Sequence, residues 1–172
     1  CKAAGFQLII VETPGIGQGD AGIVPHVDFS LYVMTPEFGA ASQLEKIDML
    51  DFADVVVINK FDRQGARDAL RDVAKQIQRN RLAFAQTTEA MPVFGSIASR
   101  FADEGVTAVH AEIVRQLGER GLGAWETTAV RPAGKASEPG KGIVPAARRR
   151  YLAEIAEAVR GYHAECARQV QA

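Results

Sequence analysis

Runs of apolar, largely β-branched residues punctuate the first hundred positions: Phe6 to Val11, Asp28 to Met34, and Asp54-Val55-Val56-Val57-Ile58. Each has the length of a strand. All three look alike, of the length and type expected of strands buried on both faces of a parallel sheet. Pro92 to Ile97 is a shorter fourth candidate. Between these runs the apolar spacing turns helical. Leu44, Ile47, Met49, Leu50 and Phe52 predict a short amphipathic helix, Ala66, Leu70, Val73 and Ile77 a longer one from Gly65 to Arg79, and Val106, Val109, Ile113, Val114 and Leu117 a third, closed by Gly118 and Gly121. Strands alternating with helices predict βαβ units, hence an α/β fold with a mostly parallel sheet flanked by helices.

From about Gly121 to Pro145 the chain changes to Gly, Pro, Ala, Ser and Lys with few large apolar residues, a linker composition. After it, Leu152, Ile155, Val159, Tyr162, Cys166 and Val170 recur three or four apart, a helical stripe suited to packing on another domain. The expected division is an α/β domain over 1–122, a Gly/Pro-rich linker over 123–146 and a helical segment over 147–172.

Composition narrows the picture. With 172 residues, 47% hydrophobic and 24% charged, the chain can bury a core. Twenty Lys and Arg against twenty-one Asp and Glu argue against nucleic-acid binding through bulk positive charge. No apolar run approaches the ~18 to 20 residues of a membrane-spanning helix. Two cysteines without a Cys-x-x-Cys pair suggest neither a disulfide framework nor a zinc ribbon, so the expectation is a soluble, cytoplasmic protein without nucleic-acid or membrane partners. The sequence starts at Cys1 and runs at once into a strand pattern, which reads as a fragment.

Ligands of parallel α/β sheets bind at the carboxyl ends of strands. There, after Ile58, stands Asn59-Lys60-Phe61-Asp62. Guanine presents a ring N1–H beside an exocyclic amine, and one fixed carboxylate, Asp62, can accept from both, which adenine cannot match. The Asn59 amide would bond the other edge of the base or tie the loop down, and the stem of Lys60 would lie along the base plane. The competing reading is a solvated turn in which Asn and Asp are caps.

After the first run comes Glu12-Thr13-Pro14-Gly15-Ile16-Gly17-Gln18-Gly19-Asp20. Glu12 would hold Mg²⁺, directly or through water. Gly15, without a Cβ, would bring its N–H up to a γ-phosphate. Gln18 or Asp20 would orient the attacking water. A flexible Gly-rich turn is the alternative. Ser96, Ile97 and Ala98, where the fourth run ends, would offer backbone to a guanine carbonyl or form a simple turn.

Together these loops resemble a GTPase, and Val11-Glu12-Thr13 followed by Gly15-x-Gly17-Gln18 resembles the GTPase chaperones of cobalamin-dependent acyl-CoA mutases. The tail, Ile143 to Arg148 with Tyr151 to Ile155 and Gly161-Tyr162-His163, is similar to the linker of the fused isobutyryl-CoA mutase family. The resemblance implies a P-loop GTPase fold, of which this chain is the distal part, and a linker leading to a mutase domain. It implies GTP or GDP as ligand, with Gly15, Asn59, Lys60, Phe61, Asp62, Ser96, Ile97 and Ala98 as nucleotide-binding residues. Glu12 and Thr13 would lie at Mg²⁺, with Gln18 and Asp20 as catalytic candidates. It further implies gating of adenosylcobalamin loading, protection of the mutase, a homodimer, and cobalamin-binding and mutase domains on the same chain that interconvert isobutyryl-CoA and n-butyryl-CoA. Pro36 to Glu45 falls where such chaperones carry an additional switch loop.

Two departures stand out. No Gly-x-x-x-x-Gly-Lys-[Ser/Thr] occurs: Gly134-Lys135 has Ala129 at the first Gly position, and Gly140-Lys141 has Lys135 there. This segment alone should therefore bind GTP poorly. Nor does His26, His110 or His163 sit in an Asp-x-His-x-x-Gly context, so adenosylcobalamin would bind elsewhere in the intact protein. A free-standing metallocenter or mutase chaperone GTPase and a non-catalytic interaction module are the alternative readings. His163 with Cys166, and Arg148-Arg149-Arg150, read as helix packing and a solvated helix start.

Overall fold

The computed structural model describes residues 1–13, 21–38, 41–123, 125, 127–138 and 150–171, with the backbone alone for 41, 42 and 171. Its centre is a parallel sheet of three strands in the order β1 (Leu31–Met34), β2 (Val55–Asn59) and β3 (Val93–Ser96). The helices are α1 (Ala41–Leu44), α2 (Met49–Phe52), α3 (Ala66–Asn80), α4 (Glu104–Glu119) and α5 (Tyr151–Gln171).

The unbroken apolar run of β2 has a direct explanation. Val56 and Ile58 pack with Val73 and Ile77 of α3 and with Leu44 and Leu50, while Val55 and Val57 pack with Phe94 and with Ala108 and Val109 of α4. A strand between two helical layers needs apolar side chains at every position, each contributing about 1.5–3 kcal/mol on full burial. The parallel register places Ile58 opposite Gly95 and Asn59 opposite Ser96. Both strands thus end side by side and release their loops at the same edge.

At the opposite end, Asp54 locks the sheet. Its carboxylate accepts from the Ser30 N–H (2.7 Å) and hydroxyl (3.1 Å) ahead of β1 and pairs with Arg120 just past α4. Arg120 also donates to the Asp28 carbonyl and lies over the Phe29 ring.

The sequence expectations hold for β1 to β3, α3, α4 and α5, and fail at two places. Residues 6–11 form no strand: Phe6 is 64% and Ile10 84% exposed. A strand of that composition needs a ladder beside it and cover on both faces. Among the described residues nothing pairs beyond β1, whose Leu31 and Val33 are exposed as well. The single helix expected over 44–52 is instead two one-turn helices. Leu44, Ile47, Met49 and Leu50 are all buried, closer together than one helical stripe allows, and the chain bends through short turns at Lys46 and Ile47.

Candidate functional site

The site grows from the edge where β2 and β3 end. Lys60 leaves β2 in the left-handed region, at φ 57°, a conformation costing a non-glycine residue about 1 kcal/mol or more and common where loops serve a function. The bend sends Phe61 back into the core, where it is buried, and leaves Asp62 exposed. Gly95 makes this possible, because a Cβ there would lie 2.5 Å from Phe61 Cδ2. The Phe61 N–H donates to the Ser96 carbonyl at 3.0 Å, stapling the two loops together.

Asn59 completes the staple. Its side-chain oxygen accepts from the Ala98 N–H at 3.1 Å and the Ser96 hydroxyl at 3.3 Å. Asn59 thus ties the second loop to the first, and the Ala98 N–H is already engaged. Asp62 lies with Arg63, Gly65 and Arg67 along a shallow groove at the start of α3. Ser96 and Ile97 are buried, so their side chains hold the loop while Lys60, Asp62 and Ala98 face solvent. Beside this edge Arg63 pairs with Glu37 of the 36–45 stretch. Hydrogen bonds from Thr35, from Glu37's own backbone and from Arg63 hold the Glu37 carboxyl down at about 2.

Sequence reasoning missed Asp103, the N-cap of α4, which is only 2% exposed. One of its oxygens accepts from the Ile97 N–H (3.0 Å), the Val106 N–H (3.0 Å) and the Ser137 hydroxyl (2.6 Å). The signal was there: an Asp directly before Glu-Gly and an apolar helical stripe is an N-cap pattern.

Glu12 and Thr13 are exposed and do not follow a sheet strand. Among the described residues no group of three or more His, Cys, Asp or Glu side chains is placed to hold a metal. A carboxylate beside a hydroxyl suits an ion such as Mg²⁺ that draws its other ligands from water and phosphate. Gly15, Gln18 and Asp20 lie outside the described residues, as does most of the Glu12–Asp20 loop.

The parallel sheet thus presents Asn59-Lys60-Phe61-Asp62 and Ser96-Ile97-Ala98 at adjacent strand ends, stapled to each other. Residues 1–130 match the family described as "Methylmalonyl Co-A mutase-associated GTPase MeaB", and the chain belongs to that family. Its α/β sheet with flanking helices is accordingly part of a P-loop GTPase domain.

Among individual proteins, the chain is 64% identical over 163 residues to the fused isobutyryl-CoA mutase of Cupriavidus metallidurans, covering 95% of this chain and 15% of that protein. It is 60% identical over 172 residues to the protein of the same name from Nocardia farcinica, covering all of this chain and 16% of that one. The identity to the Geobacillus kaustophilus protein of that name is 49% over 170 residues, or 99% of this chain and 16% of the other. The chain spans about one sixth of the length of these curated relatives.

Proposed function

We propose that this chain is the guanine-reading part of a GTP-binding, GTP-hydrolysing chaperone unit that serves an adenosylcobalamin-dependent acyl-CoA mutase on the same polypeptide. The observation that carries the reading is the Asn59 staple, which fixes the two loops so that Asp62 stands exposed at their edge. The names of the relatives supply the isobutyryl-CoA mutase context, and n-butyryl-CoA as the other member of the pair is what the resemblance of the loops and tail implies.

In this reading the Asp62 carboxylate accepts from the guanine N1–H and the exocyclic amine, and Lys60 covers the plane of the base. Phe61 acts from within, its buried ring anchoring the loop. Ser96, Ile97 and Ala98 wall the opposite edge. Glu12 and Thr13 would hold Mg²⁺, which when bound neutralises charge on the phosphates. Gly15 would approach the γ-phosphate, and Gln18 or Asp20 would orient the water. Nucleotide state would pass to the mutase through the stretch from Pro36 to Glu45, which the Glu37–Arg63 pair ties to the residue following Asp62. The protein would gate adenosylcobalamin loading and protect the mutase, as a cytoplasmic homodimer, with adenosylcobalamin and acyl-CoA bound elsewhere in the chain.

Equilibrium binding of GTP and GDP to the full-length protein tests this. Asp62→Ala should weaken both by at least about tenfold, the value of one charge-assisted hydrogen bond or more. Affinity equal to that of the unaltered protein would remove Asp62 from the site.

A further inference from the structure

The Gly/Pro/Ala/Ser-rich stretch after α4 is not uniformly a spacer. Residues 135–138 lie along the outer edge of β3, where a bridge joins Gly95 to Ala136. The Gly95 N–H donates to the Lys135 carbonyl and the Ser137 N–H donates to the Gly95 carbonyl, both at 3.0 Å. One end of this short piece is anchored by Lys135, whose ammonium donates to the carbonyls of Glu89 (2.6 Å) and Met91 (2.8 Å) and lies over the Phe94 ring. At its other end Arg100 donates to the Glu138 carbonyl at 2.9 Å.

Between these anchors Ser137, 2% exposed, reaches Asp103 and the Gly95 carbonyl. Asp103 in turn holds the Ile97 N–H. The 96–98 loop is therefore gripped from two sides: by Asn59 from the base-reading strand, and by Asp103 from the side of residues 135–138. Gly105 lets the three groups come together, since a Cβ there would overlap the Gly95 carbonyl and the Ser137 hydroxyl. The other Asp103 oxygen has no partner among the described residues, so the carboxylate depends on the side that Ser137 shares.

We propose that residues 135–138 are a strap whose Ser137, through Asp103, sets the position of the 96–98 loop, so that displacing the strap speeds release of guanine nucleotide. Ser137 is a positioning residue and touches no nucleotide itself. In sequence the strap stands between the nucleotide-binding region and α5, so a pull on the chain from the C-terminal side reaches the base-reading edge through it. The inference rests on the guanine-site reading above.

The test compares three variants of the full-length protein: Ser137→Ala, Lys135→Met and Asp62→Ala. GDP release is followed with a fluorescent GDP analogue, and KM and kcat are measured for GTP. Ser137→Ala, which removes a buried hydrogen bond to a carboxylate, and Lys135→Met, which removes the ammonium's bonds to two carbonyls, should each speed release by about tenfold, and raise KM without lowering kcat. A merely structural role would instead lower kcat through a smaller active fraction and leave KM alone, which overturns the proposal. So does unchanged release in both strap variants while Asp62→Ala speeds it. An effect of Ser137→Ala without one of Lys135→Met reduces Ser137 to a local contact and also overturns the strap. If Ser137→Ala does not fold, Lys135→Met decides. Unchanged release in Asp62→Ala faults the guanine-site reading itself.

Discussion

Gly95 shows how much one missing side chain can decide. Its bare Cα gives Phe61 room to return to the core and so lets Asp62 face outward. Gly95→Ala should cost about 1–3 kcal/mol, the usual range for overpacking a filled site, read as a lower thermal midpoint together with weaker GDP binding. A midpoint and affinity like those of the unaltered protein would show that the Phe61 ring yields easily and is no anchor. At this scale the sequence was informative where chemistry is local. Asn59, Lys60 and Asp62 stood out because their types and spacing at a strand end already suggest a base-reading loop. Asp103 and Ser137 did not, because the hydrogen bond between them spans 34 positions and neither belongs to a motif.

At the scale of elements, strands and helices that bury a regular stripe were legible. β2 is apolar at every position because it is covered on both faces, and α3 keeps Ala66, Ala69, Val73 and Ile77 on its buried side. Legibility failed where backbone pairing decides. Residues 6–11 have strand composition without a ladder, and residues 135–137 have linker composition yet pair with β3. The Asp54 lock joins β1, β2 and the end of α4 and makes their association depend on pH. Burial alone would raise the Asp54 carboxyl, but hydrogen bonds from Arg120 and Ser30 outweigh it and hold it below its ordinary value. A carboxylate lowered on folding adds stability above its unfolded value and loses it as pH falls through the folded one. Denaturant midpoints should therefore fall as pH drops through about 4 and below, and Asp54→Asn, less stable at neutral pH, should lose less over that interval. Parallel curves for the two proteins would assign the acid sensitivity to other carboxylates.

Across the whole molecule, apolar side chains stand exposed on β1 (Leu31, Val33), within residues 6–11, and along α5 (Leu152, Ile155, Val159, Tyr162). The described core is built from the three strands with the buried faces of α3 and α4, and the proposed base-reading edge lies where β2 and β3 end. The near balance of charge fits this arrangement, since a nucleotide would be recognised through fixed hydrogen-bonding groups rather than a basic surface. Family membership rests on residues 1–130, and the curated relatives are about six times as long as this chain, so the role of Asp62 is best tested on the full-length protein. Xanthine carries a carbonyl where guanine carries its exocyclic amine. Asp62→Asn replaces a pure acceptor with an amide that can also donate. The decisive measurement is the ratio of xanthosine to guanosine triphosphate affinity in the unaltered protein and in Asp62→Asn. Strong guanosine preference is expected in the first and a shift towards xanthosine of about tenfold or more in the second, whereas an unchanged ratio would contradict the assignment of Asp62 as the residue that reads the base.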